Sequence, residues 1–534
     1  MKSSKQTLAE NSFILIYSTA IVKIIGAFFK IPLANDTFLG EIGFGYYSIA
    51  HDLYMPFYTL AISGLPVALS HLIAEKISQK RETEAINCFK SCKRLFIICG
   101  IIFSVLLTIL TIPISLIANG GLNAAYSILT VTPSVFLCFF ISVYRGYFEA
   151  FNNMKPTAVS KIIEAVCKLI LGLVLSFAVL KTTGNVALAA SAAMCGVTIG
   201  TAFSALYLYY NFKQSIKASK FRGNLYKTEK VNTSVLKIAI PFALSSLAAS
   251  IVALLDVFTV KLPIDLLGKD YINEVLSILQ NDEIVGDASA YLYGVRSKAF
   301  TIYNLIPTFT AALGVGALPV ITAAWAKKDN KALQNNVNYT LRLVCTVTFP
   351  AAIGIFSLSN RIMSLLYSKE SALGSDLLRF YAIAGLFAGI AIPLTTVLQA
   401  IGKHRTAIIS IIIGIILKIV TGLSLTLLPL FNIYAAPTST IVCYMFIAIE
   451  VLIAIGKSVS FKGYLSAILK PLFAALICGI CAIVISQISS SFIFTILSIL
   501  VAVLVYFGIV LITKVFTLEE IKAFPIINRL FKSK

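Results

Sequence analysis

Lys23 and Lys30 stand seven residues apart inside an apolar stretch, nearly two helical turns, so they share one face about 10 Å apart. Two like charges on one stripe repel, and each costs about 2.5–3.5 kcal/mol to hold at the centre of a membrane span. The pair is tolerable where the stripe lines water or waits for an anion. The plainer reading of Lys30 is snorkelling to the outer interface. Farther along, Tyr291–Lys298 brings Arg296 and Lys298, about 200° apart on a helix, so the two cannot face one cavity together. Arg296 suits a phosphate better, because a planar guanidinium donates two hydrogen bonds at once. His51-Asp52 lies beside Tyr46, Tyr47 and Tyr54. Asp52 is placed to neutralise a cavity Lys or Arg between substrate visits; the bland alternative is an interfacial aromatic belt. The substrate-binding set read for a central cavity is therefore Lys23, Lys30, Asp52, Arg296 and Lys298.

Other charges within apolar runs point elsewhere. Lys161, Glu164 and Lys168 follow at i, i+3 and i+7, which lets Glu164 pair with either lysine in a structural ladder. Asp256 has no cation nearer on its own helix than Lys261. Asp256 and Glu164 are the candidates for ion or proton coupling, but a sodium site needs several oxygens, and Glu450 is the one other acid in the corresponding late spans. Gly456-Lys457-Ser458 resembles the end of a phosphate-binding loop, yet position 451 is Val, so no Walker A site and no ATP hydrolysis are expected. His51, His71 and His404 are scattered and suggest neither a zinc site nor a triad. Cys478 and Cys481 form a C-x-x-C without a second pair nearby, and packing is the reading favoured for the ten cysteines. No enzyme, metal or cofactor is expected; coupling to Na+, to H+ or to the membrane potential stays open.

These residues need elements to hold them, and composition says which. Of 534 residues, 58% are hydrophobic and 13% charged, where a soluble domain carries about 25% charge. Mean hydropathy is +0.91. Runs of about twenty apolar residues recur, each able to cross roughly 30 Å of hydrocarbon. The expected fold is an all-α polytopic membrane protein with spans near 11–33, 43–75, 93–118, 123–150, 157–181, 186–210, 235–262, 288–325, 339–366, 373–400, 404–428, 432–456, 464–487 and 490–514. The second and eighth exceed what a membrane needs and must tilt, bend or protrude, with Pro56, Pro66, Pro307 and Pro319 as places to bend. No cleavable signal peptide is expected, since Met1–Glu10 is polar and leads into a span that would be retained.

The loops sort by sign. Lys2 and Lys5, Lys76–Arg94, Lys213–Lys230, Lys327/Lys328/Lys331, Lys403/Arg405, Lys457/Lys462 and the tail fall on one side. Asp36/Glu41, a near-neutral Asn-Gly-Gly turn and the acidic stretch Asp265–Asp287 fall on the other. The net charge of +21 is thus a topology signal that puts both termini in the cytoplasm, not a footprint for nucleic acid.

A long repeat organises the spans. Glu149-Ala150-Phe151, Thr157-Ala158, Lys168 and Gly172 answer to Gln399-Ala400-Ile401, Thr406-Ala407, Lys418 and Gly422. Ser63-Gly64-Leu65-Pro66-Val67 answers to Gly316-Ala317-Leu318-Pro319-Val320. Such doubling predicts two pseudo-symmetric six-helix lobes with a cavity between them, the architecture that transporters use. The expected organisation is an N-terminal lobe over 1–210, a basic cytoplasmic linker over 211–232 and a second lobe over 233–460. Two additional spans over 461–514 and a cytoplasmic tail over 515–534 complete it.

Tyr144-Arg145-Gly146-Tyr147-Phe148-Glu149-Ala150-Phe151-Asn152-Asn153-Met154-Lys155-Pro156-Thr157-Ala158 resembles the hallmark between spans 4 and 5 of polysaccharide-biosynthesis flippases in the multidrug/oligosaccharidyl-lipid/polysaccharide (MOP) exporter superfamily. Gly43-Phe44-Gly45-Tyr46-Tyr47 and Gly64-Leu65-Pro66-Val67-Ala68 also resemble its stage V sporulation protein B and MurJ-like group, and the similarity covers essentially the whole chain. The resemblance implies a MATE-like fold, alternating access, and an undecaprenyl-pyrophosphate-linked peptidoglycan precursor of the lipid II type as cargo. It also implies cationic residues on helices 1, 2 and 8. Here helix 1 offers Lys23 and Lys30 and helix 8 offers Arg296 and Lys298, whereas helix 2 has His51-Asp52 in place of an arginine. The implied setting is the bacterial cytoplasmic membrane, with a polyprenyl-pyrophosphate glycolipid and membrane lipids as partners, cell-wall synthesis proteins as further candidates, and a role in peptidoglycan or spore-cortex synthesis. Three rivals remain at this point: a cation-coupled multidrug exporter of the same fold, a flippase for another polysaccharide unit, and a non-transporting scaffold in spore-wall assembly.

Overall fold

The computed structural model describes residues 8–79, 81–117, 121–151, 153–218, 247, 250–278, 287–367, 372–459, 464–489 and 491–516. Among these residues every regular element is helical, and twelve helices are long and apolar enough to cross a membrane. The first expected span is the continuous helix α1 (Leu8–Leu33). Of the seventh, residue 247 and the run from residue 250 are described, and both are helical. Lys2, Lys5, most of the basic linker and nearly all of the tail lie outside the described residues. Helix α7 (Val186–Ala218) runs unbroken past residue 210, through the expected start of the linker.

The two overlong spans are interrupted where their prolines allow. Helix α2 (Gly40–Thr59) passes through a π-helical turn at Leu60–Gly64 into α3 (Leu65–Ser78). Pro56 removes one backbone donor just before that turn, and Pro66 occupies the first turn after it, where no donor is needed. A second π turn covers Val257–Lys261. Short α8 (Leu262–Leu266) and α9 (Gly268–Ile278) follow within the stretch expected as an acidic loop. Burial pushes the Tyr271 phenol of α9 up to about 12, with Glu274 adding to the effect. The phenol thus stays protonated at neutral pH and donates to the Thr426 carbonyl. The eighth span is two helices, α10 (Ala288–Tyr303) and α11 (Leu305–Ala326), broken at Asn304 ahead of Pro307.

Contacts divide the chain into two compact units, Met1–Lys298 with Gly422–Ala436, and Ala299–Thr421 with Pro437–Lys534. In the first, α7 packs against α5 (Gly121–Ala150) and α6 (Lys155–Thr183), α6 also packs on α1, and α4 (Glu82–Ile117) packs on α5. Helix α6 carries Pro156 in its first turn and ends at Gly184, whose φ of +64° is the left-handed conformation of a helix stop. Its faces are set by missing side chains. Gly172 lies against the Phe29 ring of α1, and Gly196 of α7 lies against the Gly172 backbone.

In the second unit, α12 (Asn330–Leu366) is the centre. It packs on α11, on α13 (Ala372–Ala400) and on α16 (Tyr464–Ile488), which in turn packs on α17 (Phe492–Ile512). The additional C-terminal spans are tied to α12 by polar contacts that an apolar surround makes costly to lose. Tyr506 Oη donates to the Thr346 carbonyl at 2.8 Å, and Arg361 Nη2 donates to the Ser486 carbonyl at 2.7 Å.

Candidate functional site

Helix α1 carries two exposed stripes of opposite character. Tyr17, Ile24 and Phe28 are 73%, 49% and 66% exposed and form an apolar stripe fit for acyl chains. Thr19 and Lys23 are exposed on another side, with Lys30 half-buried in line with them. At 3.6 residues per turn the lysine stripe is rotated roughly 100–160° from the apolar one. Lys23 and Lys30 therefore do not point along the lipid-ready face. Phe29 faces the protein between α2 and α6, edge-on to Tyr47 with ring centroids 5.8 Å apart.

Lys30 is within electrostatic reach of Asp52, Lys23 and Arg296. Asp52, on α2, is the hub of a buried network. Arg296 Nη1 donates to Asp52 Oδ2 at 3.2 Å, Tyr293 Oη donates to the same oxygen at 2.8 Å, and His51 Nδ1 lies 3.4 Å from Oδ1. The second arm of Arg296 pairs with Asp256, and the guanidinium lies 5.1 Å from the Tyr293 ring centroid. Arg296 and Asp256 are fully buried and Asp52 nearly so. Breaking such a network is expensive, because a buried charge without its partner has no water to turn to.

Arg296 and Asp52 are thus brought together, and Asp256 with them. The fork expected to wait for phosphate is closed on two carboxylates here, so an anion reaching Arg296 has to displace one of them. Asp256 receives a cation from α10. Lys298 addresses different groups altogether, with Nζ 2.6 Å from Glu41 Oε1 and 4.0 Å from Asp36 Oδ1.

The approach of α2 and α10 that permits all this depends on glycine. A Cβ at Gly294 would lie 2.7 Å from the Glu41 carbonyl carbon, and one at Gly45 would run into the Ala290 backbone. Gly294→Ala is expected to force the two helices apart and lower stability by about 1–3 kcal/mol, the usual cost of overpacking. Thermal unfolding in detergent reads the effect; an unchanged midpoint would mean that the helices yield freely. Asp287 caps α10 by accepting from Ala290 N at 3.0 Å, and it also accepts from Tyr46 Oη at 3.1 Å.

The ladder expected on α6 is corrected by the structure. Glu164 pairs across helices with Arg145 of α5, Nη2 to Oε2 3.2 Å, and Arg145 Nε donates to Ser160 Oγ at 3.1 Å. Arg145 belongs to the Tyr144–Ala158 motif, and a charge within an apolar run is the sequence signal that marks it. With Glu164 held by Arg145, Lys168 turns toward α1, its Nζ 5.0 Å from the Phe29 ring centroid. In the second unit the repeat counterpart Lys418 is fully buried on α14 (His404–Thr426) and donates to Thr440 Oγ1 at 2.8 Å and Ser439 Oγ at 3.4 Å. Glu450 accepts from Ser410.

Residues 8–265 match the family model described as polysaccharide biosynthesis protein, and residues 285–424 match the MatE model. The chain is similar to the lipid II flippase MurJ of Bacillus subtilis (strain 168), 24% identical over 438 residues, covering 78% of this chain and 77% of that one. It is similar to stage V sporulation protein B of the same organism, 24% identical over 424 residues and covering 79% and 77%. Among solved structures, a lipid II flippase MurJ in an inward closed conformation aligns with a TM-score of 0.67 at 17% identity, covering 94% of this chain and 99% of that one. An inward-facing multidrug resistance MATE family transporter of the MOP superfamily aligns with a TM-score of 0.62 at 13% identity, covering 86% and 98%. At these identities the structural likeness establishes the fold.

Proposed function

We propose that this chain, a member of the MOP superfamily of membrane transporters, moves a polyprenyl-diphosphate-linked cell-wall saccharide of the lipid II type from the cytoplasmic to the outer leaflet. The observation that carries the reading is the lysine stripe of α1. Its two cations stand apart from the apolar face, and neither forms an ion pair with a described carboxylate. The acid within reach of Lys30, Asp52, is engaged by Arg296, and the other buried acids of this unit have partners of their own: Asp256 with Arg296, Glu164 with Arg145, Glu41 with Lys298.

An anionic headgroup cannot cross hydrocarbon unaided, and unmatched cations along an accessible stripe lower that barrier by replacing its water. The saccharide needs no reaction, only a shielded path, while the polyprenyl tail stays in lipid. The Arg296–Asp52–Asp256 network is the element that a headgroup would loosen on arrival, since Asp52 lies within reach of Lys30. A gradient-driven drug exporter fits less well, because Asp256 and Glu164 are each already engaged by an arginine.

Reconstitution into proteoliposomes tests the reading. A fluorescent lipid II-type substrate in the inner leaflet is expected to become accessible to an outside reagent only when the protein is present. Movement of a cationic drug in place of the diphosphate lipid would overturn it. Depletion in the cell is expected to pile up a lipid-linked sugar on the cytoplasmic side, and the identity of that sugar distinguishes lipid II from another polysaccharide unit.

A further inference from the structure

We infer that Lys168 on α6 is a third ligand for the diphosphate, completing a site with Lys23 and Lys30 of α1. This rests on the reading of the chain as a carrier of a lipid-linked diphosphate, and it adds a residue that the α6 ladder makes a structural ion-pair partner of Glu164.

Three observations bring Lys168 to that place. First, α6 is held against α7 and α1 by close backbone approach. Gly200 of α7 lies against the Glu164 carbonyl and the Lys168 backbone nitrogen, while Gly172 admits the Phe29 ring. Lys168 is therefore presented from a rigid helix pair, as a binding residue needs to be. Second, its ammonium lies over Phe29, one residue before Lys30, and it is within electrostatic reach of Lys30, Glu164 and Lys23. His51 is within reach of Lys30 and Lys168 in turn. Third, the acid that spacing assigns to it is occupied, since Glu164 pairs with Arg145.

The internal repeat supplies the control. Lys168 and Lys418 hold the same register, 18 residues after Ala150 and Ala400. Lys418 is fully buried, and hydroxyls of Ser439 and Thr440 take up its protons. Lys168 is only half-buried, and its ammonium lies over the face of a ring. One copy is satisfied by its own unit; the other keeps ammonium donors for an anion. Three lysines within mutual reach repel one another unless a polyanion joins them, and a diphosphate, with an ionised oxygen on each phosphorus, is the compact group that does so.

The test is binding to the full-length protein in nanodiscs, with farnesyl diphosphate, farnesyl monophosphate and inorganic pyrophosphate as probes. The wild type is expected to prefer the diphosphate over the monophosphate. Lys168→Gln is expected to weaken farnesyl diphosphate roughly 10–100-fold, as loss of a charge-assisted contact does, and to erase much of the preference. Lys168→Arg should retain most of it, which separates lost charge from lost folding. Lys418→Gln is expected to lower the unfolding temperature while the affinity of the folded protein stays unchanged. Inorganic pyrophosphate binding as tightly as the prenyl compound would support the site and assign it to a soluble anion; weaker binding supports the lipid. If Lys168→Gln binds like the wild type while Lys23→Gln/Lys30→Gln does not, Lys168 is no ligand, though the transport reading survives. Failure of the wild type to bind any diphosphate overturns both.

Discussion

Arg296→Gln is expected to cost about 3–5 kcal/mol of folding stability, the scale set by stranding buried charges. Glutamine keeps much of the volume and offers one donor group, but it takes from the buried Asp52 and Asp256 the guanidinium charge they share. Tyr293 also loses the cation over its ring. Thermal unfolding of the purified protein should show the loss as a large drop in midpoint. Arg296→Gln combined with Asp52→Asn and Asp256→Asn should recover most of it, because neutral amides can bond to one another without the desolvation cost of charge. If the single variant melts like the wild type, the three groups are not coupled as the geometry has them.

Lys23→Gln/Lys30→Gln is expected to behave in the opposite way. Neither lysine forms an ion pair with a described carboxylate, so the double variant should fold with an unchanged or slightly higher midpoint, two mutually repelling charges having been removed. Transport of the diphosphate lipid should fall by roughly 10²–10⁴, taking about 1.5–3 kcal/mol for each charge-assisted contact. The readout is flipping rate in proteoliposomes at a fixed protein-to-lipid ratio, with circular dichroism to establish equal folding. A double variant that flips substrate at the wild-type rate would remove α1 from the substrate path. The pairing of these experiments matters: one variant is unstable because its charge is paired, the other inactive because its charges are not.

Much of the scaffold was legible along the chain. Apolar runs of membrane length mark where helices must be, because backbone polar groups in hydrocarbon find partners only within a helix. Pro56, Pro66 and Pro307 mark where long helices break, since each removes a donor and crowds the preceding turn. The shared face of Lys23 and Lys30 follows from helical period alone. The separation of Arg296 from Lys298 follows in the same way, and their partner sets are distinct. Less legible was the reach of α7 beyond residue 210, because nothing in its polar end forbids helix.

Partner choice was not readable. Glu164 had lysines at helical spacing on both sides and takes Arg145 from α5 instead. Spacing along one helix says which side chains are neighbours on that helix, and nothing about the rotation and height at which a second helix meets it. For Asp52 and Arg296 those quantities are set by Gly45 and Gly294, whose lack of side chains lets α2 and α10 touch backbone to backbone. The same holds for Lys168 and Lys418, alike in the repeat and different in surroundings, one beside Phe29 and the other between Ser439 and Thr440. Sequence by itself determined that these are helices in a membrane carrying costly cations. Only packing in three dimensions decided which of those cations are spent on carboxylates and which remain for a ligand, because that depends on contacts between residues more than 240 positions apart.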